Sequence, residues 1–326
     1  MCQATKISQK KLLSLIGKAK NVLLTTHENP DGDGLGSIIA LGLVLRAQGK
    51  KVYLFSKDNV PYNYQFLPNQ KLVKNTLKTK TKFDLTLLVD VGEMERVGSC
   101  VQEYPHKGVT VSIDHHAMSQ HNTELVYCLP DESSSGEIVL DLLKKMKIPL
   151  TKAMATNLYT AIATDTGAFK YSNTTQKTFE NASYLCGFGV DVWDVALNCF
   201  ETYTPARMNL LKKAIGSIHM HANKKIAWIV LGAKDFKATK TLSEDAEGFI
   251  NYPRAIDGVE VALFFKEKSS QCYKISMRSK KYVNVAKVAK KFGGGGHVRA
   301  SGCTLYGTLN NVRDKMLQAI VPLLKS

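Results

Sequence analysis

Three short apolar runs each stop at a side chain able to hold a metal ion, and this constrains the fold more than any other feature. Val22-Leu-Leu-Thr-Thr26 leads into His27, Leu85-Thr-Leu-Leu-Val89 into Asp90, and Val109-Thr-Val-Ser-Ile113 into Asp114-His115-His116. The runs are near-continuously apolar or, in Val109-Thr-Val-Ser-Ile113, β-branched. They therefore read as strands buried on both faces, the pattern of a parallel sheet covered by helices. Strands are expected at about 21–26, 51–56, 84–91 and 109–114. Between the first two, Ser37 to Gln48 reads as a buried helix ended by Gly49. Ser134-Ser-Gly-Glu137 has capping-box spacing ahead of a further helix, and a helix at about 153–163 leads into Asp165. In such sheets sites form beyond the carboxyl ends of strands. His27, Asp90 and Asp114 all fall there, which predicts one shared site.

The residue types narrow the chemistry. His27-Glu-Asn-Pro-Asp31-Gly-Asp33, Asp90, Asp114-His-His116 and Asp165 supply carboxylates and imidazoles without a thiolate, a set that suits Mg²⁺ or Mn²⁺ better than structural zinc. A single histidine after a strand is more often a hydrogen-bonded loop residue than a ligand. Taken jointly, the set argues for a metal site. Seven scattered cysteines, odd in number and never spaced C-x-x-C, argue against a disulfide framework or a zinc cluster and for a reducing compartment. No apolar stretch approaches the roughly 20 residues of a membrane span, and Met1-Cys-Gln-Ala-Thr-Lys6 lacks the apolar core of a signal peptide. A cytoplasmic protein is expected. The net charge of +16 favours polyanionic partners.

From about 190 to 220 the pattern turns helical and more polar, with Tyr203-Thr-Pro-Ala-Arg207 as a helix start. Beyond it strands are expected at about 225–231, 259–266, 272–278 and 300–306, with a helix at about 284–291 and another at the end. The expected division is 1–190, a helical connector 191–220, and a smaller α/β domain 221–326. This second domain contains Phe292-Gly-Gly-Gly-Gly-His297-Val-Arg-Ala-Ser-Gly302. Gly293 to Gly296 can expose consecutive backbone N–H groups as a nest for phosphate oxygens, although a helix C-cap after Lys291 followed by a turn is the plainer alternative. Arg299 reads as a solvated loop residue, and Lys287 to Lys291 as a solvated face.

With these motifs in order, the chain resembles the DHH phosphoesterase superfamily, and the Gly-Gly-Gly-Gly-His-x-x-Ala-Ser-Gly run resembles the signature of the DHH-associated C-terminal domain. The layout, together with Glu247-Gly-Phe-Ile-Asn-Tyr-Pro-Arg254, is similar to the NrnA-like branch. That resemblance implies a mainly parallel catalytic domain and a smaller α/β domain with the active site in the cleft between them. It implies hydrolysis of very short oligoribonucleotides to mononucleotides and removal of the 3′-phosphate of 3′-phosphoadenosine 5′-phosphate (pAp). It also implies two divalent cations, Mn²⁺ with Mg²⁺ as the alternative, His27, Asp31 and Asp90 holding one and Asp33, Asp90, His115 and Asp165 the other. Asp90 would bridge, Asp114 would orient the imidazoles, and His116 would lie near the scissile phosphate, so that Asp90, Asp114, His115 and His116 form the catalytic set. His116, Arg278, Gly294, Gly295, Gly296 and His297 would contact substrate. A homodimer is compatible with the family, and no stable complex with long nucleic acid is expected. Competing readings are a RecJ-like single-strand exonuclease, a family II pyrophosphatase, and a nucleotide- or RNA-binding protein without catalysis.

Overall fold

The computed structural model describes residues 4–116 and 122–325. Cys2 and the first three residues of the N-terminal segment considered for a signal peptide lie outside them. The chain divides into two compact units, Met1–Thr202 and Tyr203–Ser326, and the division falls inside the segment expected to be a connector.

Among its described residues the first unit holds seven parallel strands: β1 (Thr5–Lys6), β2 (Asn21–Thr25), β3 (Lys51–Phe55), β4 (Val73–Lys74), β5 (Leu85–Val89), β6 (Val109–Asp114) and β7 (Leu125–Cys128). Their order is β1-β7-β6-β5-β2-β3-β4, and every pairing is parallel. The chain leaves β2 towards β3 and β4, then returns to the other side of β2 as β5 and continues outward through β6. Strand order therefore reverses between β2 and β5, where a crevice opens at the carboxyl ends. Leu23 and Leu88 point into one apolar cluster with Phe55 and Val97. Leu24, Leu87 and Val89 point into the other, against helices Gly32–Ala47, Ser135–Lys145 and Lys152–Asp165. Both faces are thus covered, and even Thr110 and Ser112, which interrupt the apolar residues of β6, are buried.

One boundary differs from the sequence expectation. The helix read from Ser37 begins at Gly32, because the Asp31 side chain caps it by accepting from the N–H groups of Asp33 and Gly34, both at 3.0 Å. Glycines that lower helix propensity are needed here for packing. A Cβ on Gly36 would lie 2.3 Å from the carbonyl oxygen of Asn157 in helix Lys152–Asp165. The Ser134 motif forms only half of a capping box. Ser134 Oγ accepts from the N–H of Glu137, while the Glu137 carboxylate takes the N–H of Ser133 instead of Ser134.

The second unit has a sheet of order β12-β13-β11-β10-β9-β8, formed by β8 (His219–His221), β9 (Ile226–Leu231), β10 (Val261–Ser269), β11 (Cys272–Ser279), β12 (Gly295–His297) and β13 (Ala300–Tyr306). Among the described residues of this sheet only β9 and β10 pair in parallel. Helices Val285–Lys291 and Leu309–Ile320 cover one face through Ile275, Met277, Cys303 and Met316. Helix Pro205–Gly216, opened by Thr204 as N-cap with proline in the first turn, packs on the other face against Ile229, Ala262 and Phe264.

Candidate active site

The crevice between β2 and β5 collects the motif residues. Asp90 follows β5 directly, Asp114 ends β6, and the pair Val89–Ile113 in the register sets these two carboxylates at one level. Asp90 adopts a left-handed backbone, φ +63°, with its N–H donated to the carbonyl of Ile113 at 2.9 Å. Such a conformation costs a non-glycine residue on the order of 1 kcal/mol and persists where the surroundings impose it. It turns the Asp90 carboxylate across the strand ends. One oxygen lies 3.4 Å from His27 Nε2 and the other 3.6 Å from His115 Nε2.

Two groups of ligand-capable atoms result. His27, Asp31 and Asp90 offer donors within 4.8 Å of one another, and so do Asp33, His115 and Asp165. Asp31 and Asp33 diverge because Asp31 stands outside the helix as its cap while Asp33 lies in the first turn. The imidazoles are fixed from behind. His27 Nδ1 donates to the carbonyl of Glu28 at 2.8 Å and His115 Nδ1 to that of Glu132 at 3.3 Å. A carbonyl only accepts, so each Nδ1 carries a proton and Nε2 is the nitrogen that could ligate a cation. Asp114 is buried and acts on His116: one of its oxygens accepts from His116 Nδ1 at 2.7 Å and from the N–H groups of His115 and His116. The His115 ring is held by the carbonyl of Glu132.

Sequence reading missed the amides that receive Asp33. Its two oxygens accept from the N–H groups of Ser135 at 2.7 Å and Gly136 at 2.8 Å, the first residues of helix Ser135–Lys145. Ser135 Oγ also donates to Asp90 at 3.2 Å. The Ser134-Ser-Gly-Glu start was the available signal, since a helix N-terminus offers free N–H groups to an anion.

This crowding of carboxylates is electrostatically costly in the metal-free protein. Burial together with Asp90, Asp165 and Asp31 pushes Asp33 well above the carboxylate range. Burial and the charges of Asp90 and Asp31 raise Asp165 to about 6, against the opposing pull of His115. Burial works against a charged His27, yet hydrogen bonds and attraction from Asp31 and Asp90 outweigh it and bring the imidazole to about 10. Asp31 is lowered correspondingly: burial opposes its charge, and the His27 pairing prevails. His116 rises to about 9 for the same reason, burial being overcome chiefly by Asp114. Positive imidazoles balance a site built for more positive charge than the side chains supply. The donor set is oxygen and imidazole, its carboxylates sit too close to remain ionised together, and each ligating nitrogen is oriented. It fits divalent cations.

In the second unit the glycine run differs from a nest of free amides. Gly293 and Gly294 donate their N–H groups to the carbonyls of Lys290 and Ala289, capping helix Val285–Lys291, and Gly295–His297 forms β12 along β13. Glycine is required by the neighbouring strand. A Cβ on Gly294 would meet the carbonyl oxygen of Gly302 at 2.1 Å, and Gly296, at φ +129°, would meet that of Ala300 at 2.6 Å. Arg278 pairs with Ala300 across β11 and β13, and His297 pairs with Ala300 across β12 and β13. Directly paired residues share a face, so Arg278 and His297 stand in one row on one face. Ser276, Gly302 and Gly295 form the next row on that face, two residues away on each strand. Two polar side chains thus border small residues, opposite the core of Ile275 and Met277. Arg299 is not merely solvated: its guanidinium donates to the carbonyls of Val283 and Lys281.

Residues 21–162 match the model of the DHH family N-terminal domain, and residues 223–326 match that of the DHHA1 domain. A Thermus thermophilus protein named bifunctional oligoribonuclease and PAP phosphatase NrnA is 29% identical over 300 residues, covering 92% of this chain and 89% of that protein. The Bacillus subtilis protein of the same name is 26% identical over 301 residues, covering 90% of this chain and 92% of that one. Among solved structures, an exopolyphosphatase-related protein from Bacteroides fragilis superposes with a TM-score of 0.87 at 26% identity, over 98% of this chain and 97% of that one.

Proposed function

The chain belongs to the DHH family, and on that premise we propose that it is a metal-dependent phosphoesterase. Its substrates are very short oligoribonucleotides, cleaved to mononucleotides, and pAp, which loses its 3′-phosphate. The relatives' names support the substrates. The observation that carries the reading is the pair of donor groups on either side of Asp90.

His27, Asp31 and Asp90 would hold one divalent cation, and Asp33, Asp90, His115 and Asp165 the second. When bound, such a pair supplies a water-derived nucleophile at neutral pH and neutralises charge on the phosphoryl oxygens. An imidazole in each group favours Mn²⁺ over Mg²⁺. The amides of Ser135 and Gly136 hold Asp33 in one orientation, and Ser135 Oγ does the same for one oxygen of Asp90. With Nδ1 committed to Asp114, which raises its affinity for protons in the metal-free protein, His116 would donate from Nε2 to a phosphate oxygen. Arg278 and His297, bordering the small residues of β12 and β13, bind a further phosphate. That row accommodates one anchored phosphate, which suits a short molecule. No helix among the described residues is long and apolar enough to cross a membrane. The described cysteines include six free thiols, which supports a reducing cytoplasmic setting.

The test is a single-turnover length series with Mn²⁺ at fixed salt, run beside pAp and pyrophosphate. Efficiency should peak at two to about five nucleotides, with pAp hydrolysed and pyrophosphate left intact. Progressive laddering of a 20-mer at equal or better efficiency would replace this reading with a RecJ-like exonuclease.

A further inference from the structure

Helix Lys152–Asp165 ends on a proposed metal ligand, and the turn beyond it is unusual. Gly167, Ala168 and Phe169 are left-handed in succession, at φ +57°, +57° and +62°. A right-handed chain spends free energy on such a turn, so something must hold it. Buried Thr166 does part of this, with its hydroxyl donated to the carbonyl of Ile162 and accepting from the N–H of Phe169. The turn reverses the chain and brings Asn173 back to the helix end.

Asn173 reaches two segments at once. Its Nδ2 lies 2.8 Å from the carbonyl oxygen of Ser133, 3.2 Å from that of Asp165 and 3.4 Å from Asp165 Oδ2. Ser133 adjoins Glu132, whose carbonyl takes the Nδ1 proton of His115. Glu132 and Ser133 are braced independently. The Lys177 ammonium grips the Glu132 carboxylate at 2.7 and 2.8 Å and Asp141 at 2.7 Å, while the Glu137 carboxylate takes the N–H of Ser133 at 3.0 Å. His115 and Asp165 belong to the same donor group. A single neutral amide therefore spans the mounting of one ligand and the carboxylate of the other. Neutrality matters: a lysine at this position would orient Asp165 as well but would compete with a cation for its charge.

We propose that Asn173 is a positioning residue for the cation site formed by Asp33, His115 and Asp165, fixing His115 and Asp165 as a pair. The inference rests on the two-cation reading above. It says that one site, and not the other, depends on a side chain that ligates nothing. Removing a hydrogen-bond partner behind a ligand typically lowers metal affinity about 10–100-fold.

The experiment is calorimetric titration of Mn²⁺ into the metal-free full chain, for the wild type, Asn173→Ala, Asp165→Asn and the double variant, each with a metal-free melt. The wild type should bind two cations. Asn173→Ala should weaken one of them about 10–100-fold, leave the other within a few-fold, and melt close to the wild type without metal. Because both changes act on one site, Asn173→Ala should add little to Asp165→Asn. Should Asn173→Ala lose its fold, Asn173→Ser is judged by the same readouts. Equal weakening of both sites, or full additivity in the double variant, overturns the inference. Wild-type binding of fewer than two cations defeats the two-cation reading itself. Two normal sites in Asn173→Ala defeat the positioning role alone.

Discussion

Replacing Asp165 by asparagine should stabilise the metal-free protein while weakening one of the two proposed cation sites. Burial and the carboxylates of Asp90 and Asp31 raise Asp165 from 3.8 to about 6. For an acid whose folded pKa is raised, the folded protein retains a proton that the unfolded chain has released. Its stability contribution is therefore intact below the unfolded value, declines as pH rises from about 4 to 6, and stays lost above that. At 1.36 kcal/mol per pH unit the penalty at pH 8 is about 3 kcal/mol. The side chain is 28% exposed, and solvent screening reduces this to roughly 2 kcal/mol. Asparagine has no charge to repel and keeps a carbonyl for Asn173. In EDTA at pH 8, thermal melts followed by circular dichroism should give Asp165→Asn a midpoint about 4–8 °C above the wild type. The advantage should shrink as pH falls towards 4. Excess Mn²⁺ should reverse the order, since ligand at 100 times its dissociation constant stabilises the wild type by about 2.7 kcal/mol. A variant that melts below the wild type in EDTA at pH 8 would refute the claim that these carboxylates repel one another in a shared site.

Other consequences are equally direct. His27 at about 10 in the metal-free protein holds a proton that a cation must displace, so Mn²⁺ binding at pH 8 should release protons and tighten as pH rises; calorimetry in two buffers of different ionisation enthalpy measures this, and zero release would remove His27 from the ligands. Arg278→Ala and His297→Ala should leave Mn²⁺ stoichiometry unchanged and raise KM, each lost phosphate contact costing on the order of 1.5–3 kcal/mol; loss of a cation site would place these residues among the ligands. Gly294→Ala drives a Cβ to 2.1 Å from the backbone oxygen of Gly302, where no flexible side chain can yield. It should lower the melting temperature and weaken substrate binding without affecting metal binding, and a melt equal to the wild type would contradict the close approach of β12 to β13.

Much of the first unit was legible because a parallel strand buried on two faces has a sequence pattern of its own, and three such runs end at His27, Asp90 and Asp114. The parts that were not legible depended on long-range partners. The helix was expected only from Ser37, since the glycines before it weaken a helix; the neighbouring helix shows why Gly36 must lack a side chain. The amides of Ser135 and Gly136 lie a hundred residues from Asp33, and sequence spacing carries no trace of that pairing. The glycine run reads as a phosphate nest because four glycines can make one. Their strand partner, Ala300 to Gly302, stands in the same motif, but nothing local to the sequence marks it as a partner. Alternation on β11 and β13 could have placed Arg278 and His297 on one face, had the pairing register been known.

As proposed above, Asp90 joins two cation sites that hydrolyse short nucleotide phosphates. The most direct test is release of mononucleotide from a diadenylate by metal-free protein reconstituted with Mn²⁺, comparing the wild type with Asp90→Asn. Wild-type turnover should depend on Mn²⁺ and be abolished in EDTA. Asp90→Asn should show virtually none even at saturating Mn²⁺, although that variant folds and melts no lower than the wild type without metal. Substantial turnover by folded Asp90→Asn, or wild-type turnover unaffected by EDTA, would contradict it.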